Sequence, residues 1–177
     1  MMKDLVLPGL DGHSAEDATL YLLFGLVKSM RPSLIVEAGT YMGHATTIMA
    51  AAMREAGIDG ELWSADPMDY GALKVVEQNG LTDFVHLYRG DFNEMLEGPL
   101  KDRSFRMAFI DSGPSSTFQT ADDIRHHHCE AARKRLKAGG LMIVDDASGQ
   151  WVGVEEIRDQ ASLYLAPGRG LALIQNG

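Results

Sequence analysis

Cysteine is nearly absent. Cys129 stands alone in the 177-residue chain, which excludes an intrachain disulfide framework and a cysteine-based zinc cluster. No run reaches the roughly 18 consecutive apolar residues of a membrane-spanning helix, and Met1-Met2-Lys3-Asp4 lacks the regions of a signal peptide. The expected address is therefore the cytoplasm, with no membrane partner. Positive charge is scarce too: 16 Lys and Arg stand against 25 Asp and Glu, a net charge of −9. Phosphate backbones need a basic face, so no nucleic-acid partner is expected. The densest basic cluster, Arg133, Lys134, Arg135 and Lys137, reads as a solvated helix end whose cations complement the helix dipole. The chain has no G-x-G-x-x-G turn and no G-K-[ST] loop, which disfavours a dinucleotide or a nucleoside triphosphate. Repeats, linkers and low-complexity tracts are also missing. With 45% hydrophobic and 23% charged residues, 1–177 reads as one domain able to bury a full core.

What the chain does have is Leu34-Ile35-Val36-Glu37-Ala38-Gly39-Thr40-Tyr41-Met42-Gly43-His44. The apolar run predicts a buried strand, and Ala45 to Ala56 predicts the helix after it. Gly39 and Gly43 let the intervening backbone take unusual φ/ψ and let a ligand lie against it, while the helix start offers N–H donors. Glu37 adds a negative charge at the strand's carboxyl end. That acid argues against a phosphate and suits a cation.

Four later stretches repeat the theme. Glu61–Asp66 is a second strand ending in an acid, 29 residues beyond Glu37, enough for a crossover helix and a strand. Asp66 then lies beside the first turn, where a carboxylate can accept ribose hydroxyls; before Pro67 it is equally a strand-end turn residue. Phe84–Tyr88 is a third strand, followed by Arg89-Gly90-Asp91-Phe92, a polar turn. Arg106–Asp111 is the fourth. Leu136–Asp146 reads as a helix end, a glycine stop at Gly139-Gly140 and a fifth strand ending in Asp145-Asp146. The fold class that follows is α/β: a doubly wound, Rossmann-like, mostly parallel sheet with helices on both faces. Its ligands belong at the carboxyl edge, where four of the five strands end in an acid.

The ordered set over residues 34–146 resembles the class I S-adenosylmethionine (SAM)-dependent methyltransferases, in particular the catechol-type and related small-molecule O-methyltransferases. The resemblance implies SAM as cofactor. It places the methionine part over the loop of Gly39, Thr40, Tyr41 and Gly43, with Glu37 helping to hold the ammonium group, and it puts the ribose on Asp66. The adenine amino group falls to Asp91 in the Gly90-Asp91 turn, with Phe92 or a neighbour packing on the ring, and Asp111 closes the cofactor set. It also implies an oxygen acceptor on a small molecule, with Asp111 and Asp145 as catalytic residues; His44, just after Gly43, is placed to join them by touching cofactor or acceptor, or equally to do no more than pack at the helix start. Asp111, Asp145 and Asp146 resemble the family's acidic metal ligands, which would make Mg2+ a second cofactor; shaping the pocket or a turn is the other reading of the same residues. Relatives often carry a His or Lys soon after the fourth-strand acid. Here the segment is Ser112-Gly113-Pro114-Ser115-Ser116-Thr117, so the general base is missing. That leaves an alternative, a SAM-binding module without catalysis that acts as partner or sensor.

Around this core, residues 14–30 predict a helix capped near Ser14, 69–79 a shorter helix, and 119–137 a long one. Asp122 and His126 make an i, i+4 pair on the last. In His126-His127-His128 successive side chains point roughly 100° apart, so the run reads as solvated or partly packed, with a base among the three as the lesser reading. Val152–Leu163 has helical spacing and Leu171–Gln175 is a final strand; with one strand after the fifth, the tail looks abbreviated. Residues 1–13 pack on their own domain or on a neighbour, and homo-oligomerisation stays open.

Overall fold

Seven strands form one sheet in the order β3-β2-β1-β4-β5-β7-β6. They are β1 (Leu34–Ala38), β2 (Glu61–Asp66), β3 (Val85–Arg89), β4 (Phe105–Ile110), β5 (Leu136–Val144), β6 (Leu163–Leu165) and β7 (Leu171–Gln175). The computed structural model describes residues 4–9, 15–112, 118–149, 153–165 and 168–177, without the side chains of 118–123. β1 to β5 pair in parallel, and β7 runs antiparallel to both β5 and β6. The strand order reverses between β1 and β4, which opens a crevice beyond their carboxyl ends.

Strand alternation divides the core in two. Ile35, Leu62, Met107, Phe109 and Ile143 face one layer with α1 (Asp17–Met30), α2 (His44–Glu55) and α3 (Ala72–Gln78). Leu34, Val36, Ala38, Ala108, Ile110 and Val144 face the other, with α4 (Phe92–Glu97), α5 (Phe118–Arg133) and α6 (Val154–Gln160). A fully buried Phe, Leu, Ile or Met side chain is worth about 1.5–3 kcal/mol. The expected doubly wound α/β fold is therefore present, with three helices on each face among the described residues. Among the described residues no helix is long and apolar enough to cross a membrane.

Several boundaries differ from the sequence expectation. The tail is not abbreviated: after α6 it supplies both β6 and β7. β6 has only three residues, of which Leu163 and Leu165 are exposed, so it lacks the buried alternation that marks a strand. α5 ends at Arg133, and Gly139-Gly140 lies inside β5 instead of capping a helix. Phe105 pairs with Leu136 and Met107 with Leu141, so residues 137–140 bulge out of the ladder. A Cβ on Gly140 would stand 2.7 Å from the Lys137 carbonyl oxygen, and Asn176 ties the bulge down, its N–H donating to Gly140 O at 2.9 Å.

The polar turn after β3 is instead the start of α4. Asp91 caps it, accepting from Asn93 N–H at 2.7 Å, with Glu94 Oε2 accepting from Asp91 N–H at 3.2 Å. This is the D-x-x-E capping box, legible in Asp91-Phe92-Asn93-Glu94. α1 starts after Glu16, whose side chain makes no cap bond, and Ser14 lies outside the described residues. Of the N-terminal residues 1–13, the described ones, 4–9, pack on their own domain: Val6 exchanges two hydrogen bonds with the Asn79 side chain, and Leu5 and Leu7 rest on the core, while Leu10 lies outside the described residues.

Candidate active site at the carboxyl edge of the sheet

The loop from β1 to α2 is set by contacts that only its residues permit. Gly39 has φ +96°, and a Cβ there would stand 2.3 Å from the Asp111 carbonyl oxygen, so β1 and β4 close on each other only with glycine present. Gly43, φ +85°, caps α2 against Ala72. Tyr41 between them has φ +45°, a strained value for a residue with a side chain. Its N–H donates to Asp66 Oδ2 at 2.9 Å, and Met68 N–H donates to Asp66 Oδ1 at 2.8 Å. The acid that ends β2 is thus locked to the glycine loop. The Tyr41 and Tyr70 rings meet edge to face, 4.7 Å apart.

A cleft of about 350 Å³ lies above this loop. Of the residues singled out in the sequence, Gly39, Tyr41, Asp66, Asp91, Phe92, Asp111 and Asp146 line it. At the Asp91 end, His128 on α5 is buried, its Nε2 3.0 Å from Asp91 Oδ2 and its Nδ1 3.0 Å from Ser112 Oγ. Burial pushes the His128 pKa down, with the Asp91 hydrogen bond opposing. Burial would raise Asp91, yet the His128 bond and charge and the Asn93 and Glu94 N–H bonds together hold it below its ordinary value. Phe92 lies tilted against the His128 ring at 5.2 Å.

The middle of the edge holds the three aspartates with two arginines among them. Arg125 on α5 is buried; its Nε donates to Ser112 O at 3.0 Å and its Nη1 to Asp145 O at 3.2 Å. Its Nη2 lies 3.3 Å from Asp146 Oδ2 and 3.7 Å from Asp111 Oδ1. Arg169 comes from the turn before β7, placed by Ala147 N–H to Gly170 O and Ser148 N–H to Arg169 O, both 2.9 Å. Its Nε is 2.9 Å from Asp146 Oδ1 and its Nη2 3.5 Å from Asp145 Oδ2. Burial, then the neighbouring Asp145 charge, pushes Asp111 well above the usual carboxylate range. Asp145, buried beside Asp146, rises to about 6. Asp146 itself has φ +56°, so backbone strain sits here as well as at Tyr41.

This arrangement does not match a magnesium site. Each of the three carboxylates has a guanidinium against it, and among the described residues no group of His, Cys, Asp or Glu is arranged to hold a metal ion. The sequence shows three acids; the two arginines that answer them come from distant segments.

Other candidates lie away from the cleft wall. Glu37 is fully buried because strand alternation turns it toward α2, where Oε2 accepts from Thr46 Oγ1 at 2.5 Å. Burial, with Asp66 adding to it, raises its pKa to about 7 against hydrogen bonds from Ser64 and Thr46. Its expected place beside the ammonium group gives way to one beneath the loop. His44 is buried with Nε2 3.0 Å from the Pro8 carbonyl oxygen, so it anchors the N-terminal segment and does not line the cleft. Thr40 is buried, hydrogen-bonded to Ser64 at 2.6 Å. Gly90 packs on Tyr88, and Asp145 lies beneath Arg169; neither lines the cleft. Residues 113–117, where the base is missing from the sequence, lie outside the described residues, as does the Asp122 side chain of the proposed pair with His126.

Met68, Tyr70, Ser112, Ile124 and Arg169 also line the cleft without having been expected there from sequence, Arg125 stands behind them equally unexpected, and His128 entered only as one of three histidines among which a base was the lesser reading. One signal was available. Arg125, His128, Cys129 and Ala132 fall at helical spacing on one buried face, and Cys129 and Ala132 mark that face as inward.

A family model described as a methyltransferase domain matches residues 36–147. The chain belongs to this family. The match spans the glycine loop, the acid-ended strands and the Asp145-Asp146 pair, so the expectation of a class I methyltransferase is borne out. No curated protein sequence matches this methyltransferase. Among solved structures, an SAH-bound methyltransferase from Podospora anserina superposes with TM-score 0.73 at 13% identity, over 93% of this chain and 81% of that one. The O-methyltransferase of tomaymycin synthesis from Streptomyces achromogenes, in complex with SAM, gives 0.72 at 19%, over 95% and 84%. An O-methyltransferase from Bacillus cereus in complex with SAH gives 0.70 at 18%, over 93% and 83%. These likenesses establish the shared fold.

Proposed function

We propose that this methyltransferase binds SAM along the carboxyl edge of β1, β2 and β3 and transfers its methyl group to an oxygen of a small molecule. The observation that carries the reading is the bond from Tyr41 N–H to Asp66: it fixes a carboxylate beside a glycine loop, both on one cleft wall. Asp66 then takes the ribose hydroxyls and the loop backbone the methionine part. Asp91 and Phe92 receive the adenine. The acceptor enters at the Asp111, Asp146 and Arg169 end, and alignment of its oxygen with the sulfonium methyl supplies much of the acceleration.

Oxygen as the target is supported by the two O-methyltransferases among the compared structures. The net charge of −9 favours a small acceptor over a nucleic acid, and a cytoplasmic location suits the single cysteine. The alternative of a non-catalytic module drew on the missing base and on an abbreviated tail, and β6 and β7 remove the second of these grounds. The test is transfer from methyl-labelled SAM to a panel of phenols, enols and carboxylic acids. An alkali-stable ether or an alkali-labile ester product supports the reading. Label appearing only on nitrogen or on macromolecules contradicts it.

A further inference from the structure

We propose that Arg125 and Arg169 supply the fixed positive charge at the acceptor end of the cleft, in the place a divalent cation would hold, and that this methyltransferase therefore works without a metal. The inference rests on the function proposed above and concerns how its acceptor site is charged.

Three acidic side chains at adjacent strand ends need neutralising when buried, and a guanidinium stays protonated at any physiological pH. Arg125 is built into the frame. Besides meeting Asp146 and Asp111 it takes up the backbone carbonyls of Ser112 and Asp145, which lie just beyond the carboxyl ends of β4 and β5. Displacing it would orphan two buried carbonyl oxygens, which holds the side chain in place. Arg169 is the accessible partner. Its side chain is 30% exposed and lines the cleft while pairing with Asp145 and Asp146. Magnesium demands near-octahedral oxygen ligands at about 2.0–2.1 Å and sheds water reluctantly. To gain Asp145 and Asp146 Oδ1 as its first ligands it would have to displace the Arg169 guanidinium, which holds both, while Arg125 stays on Asp111 and Asp146 Oδ2. The arginines are fixed by the fold, so the site is charged before any ligand arrives, and the Arg169 N–H groups stand where an acceptor oxygen gaining negative charge needs donors.

The test follows Mn2+ as probe by electron paramagnetic resonance, with the SAH-saturated full chain after chelation and desalting. Wild type should take up less than 0.1 equivalent at about 1 mM Mn2+. Arg169→Gln removes the accessible cation while keeping a polar side chain of similar reach, and should take up close to one equivalent. Circular dichroism confirms its fold; were it to unfold, Arg169→Lys, which keeps the charge and should stay metal-free, is compared with wild type under the same conditions. Stoichiometric Mn2+ uptake by wild type overturns the proposal, and so does a folded Arg169→Gln that still excludes the ion. SAH binding, followed by calorimetry on the same samples, separates the two failures. A wild type that binds both SAH and Mn2+ sinks only the metal-free site, whereas one that does not bind SAH sinks the function it rests on.

Discussion

His128 Nε2 lies 3.0 Å from Asp91 Oδ2, across 37 residues of chain, and joins α5 to the cap of α4 at one end of the cleft. Asp91 therefore does two things at once. One oxygen caps a helix and the other is held by an imidazole, so the carboxylate has a set orientation before an adenine amino group approaches. His128→Ala should weaken SAH binding by about tenfold, the worth of one orienting hydrogen bond of ~1.4 kcal/mol. Calorimetric titration checks this. His128→Gln, which keeps a donor, should recover most of the loss, whereas a role in packing alone would leave both variants alike.

Asp66→Ala should cost more. It removes the proposed ribose acceptor and also releases Tyr41 and Met68 N–H, so the glycine loop loses its anchor. A fall in SAH affinity of about a hundredfold is expected, the sum of two or more lost hydrogen bonds. Calorimetry at matched temperature gives the number, and unchanged affinity would remove Asp66 from the site.

Much of the fold was open to reading because each parallel strand is a buried apolar run closed by a polar residue. Leu34–Ala38, Glu61–Asp66 and Phe105–Ile110 lie where the pattern put them. β6 was not legible, since a three-residue edge strand with two exposed leucines has no period to detect. The glycine pair misled for a different reason: the same φ freedom that ends a helix also makes a bulge, and only the pairing with β4 and Asn176 tells them apart. Within the candidate site, Gly39, Asp66 and Asp91 were visible as strand-end residues. Arg125 and Arg169 were not, and His128 was visible only as one of three histidines with no partner assigned, because their partners lie 13 to 37 residues away and meet them only through the sheet. Glu37 was found as an acid but misplaced, since strand alternation sends it under the loop.

Glu37 gives a pH prediction. Its folded pKa is about 7 against an ordinary 4.5, so the folded chain holds a proton that the unfolded chain releases. The stability this contributes is complete below about pH 4.5 and is lost as pH rises through 7. Glu37→Gln mimics the protonated acid at every pH. Relative to wild type, the variant should gain about 3 kcal/mol between pH 4.5 and 8. Urea denaturation of both proteins across that range measures the difference, and a constant offset would contradict the raised pKa.

Gly39→Ala tests the closure of β1 on β4. With φ +96° and the Asp111 carbonyl 2.3 Å from the new Cβ, the substitution should destabilise the fold by well over 1 kcal/mol and move the melting temperature down by several degrees. Gly25→Ala, where a Cβ meets nothing within 4 Å, is the control and should lose little or gain slightly, since Gly25 lies within α1. Similar melting points for the two variants would mean that the strand ends are looser than described.

The central claim is that acids and a glycine loop at one edge of the sheet hold SAM. Calorimetric titration of the chain with SAH and, separately, with NAD tests it most directly. One SAH per chain, with no heat from NAD, is the predicted result. NAD binding with no SAH binding would contradict the account at its root.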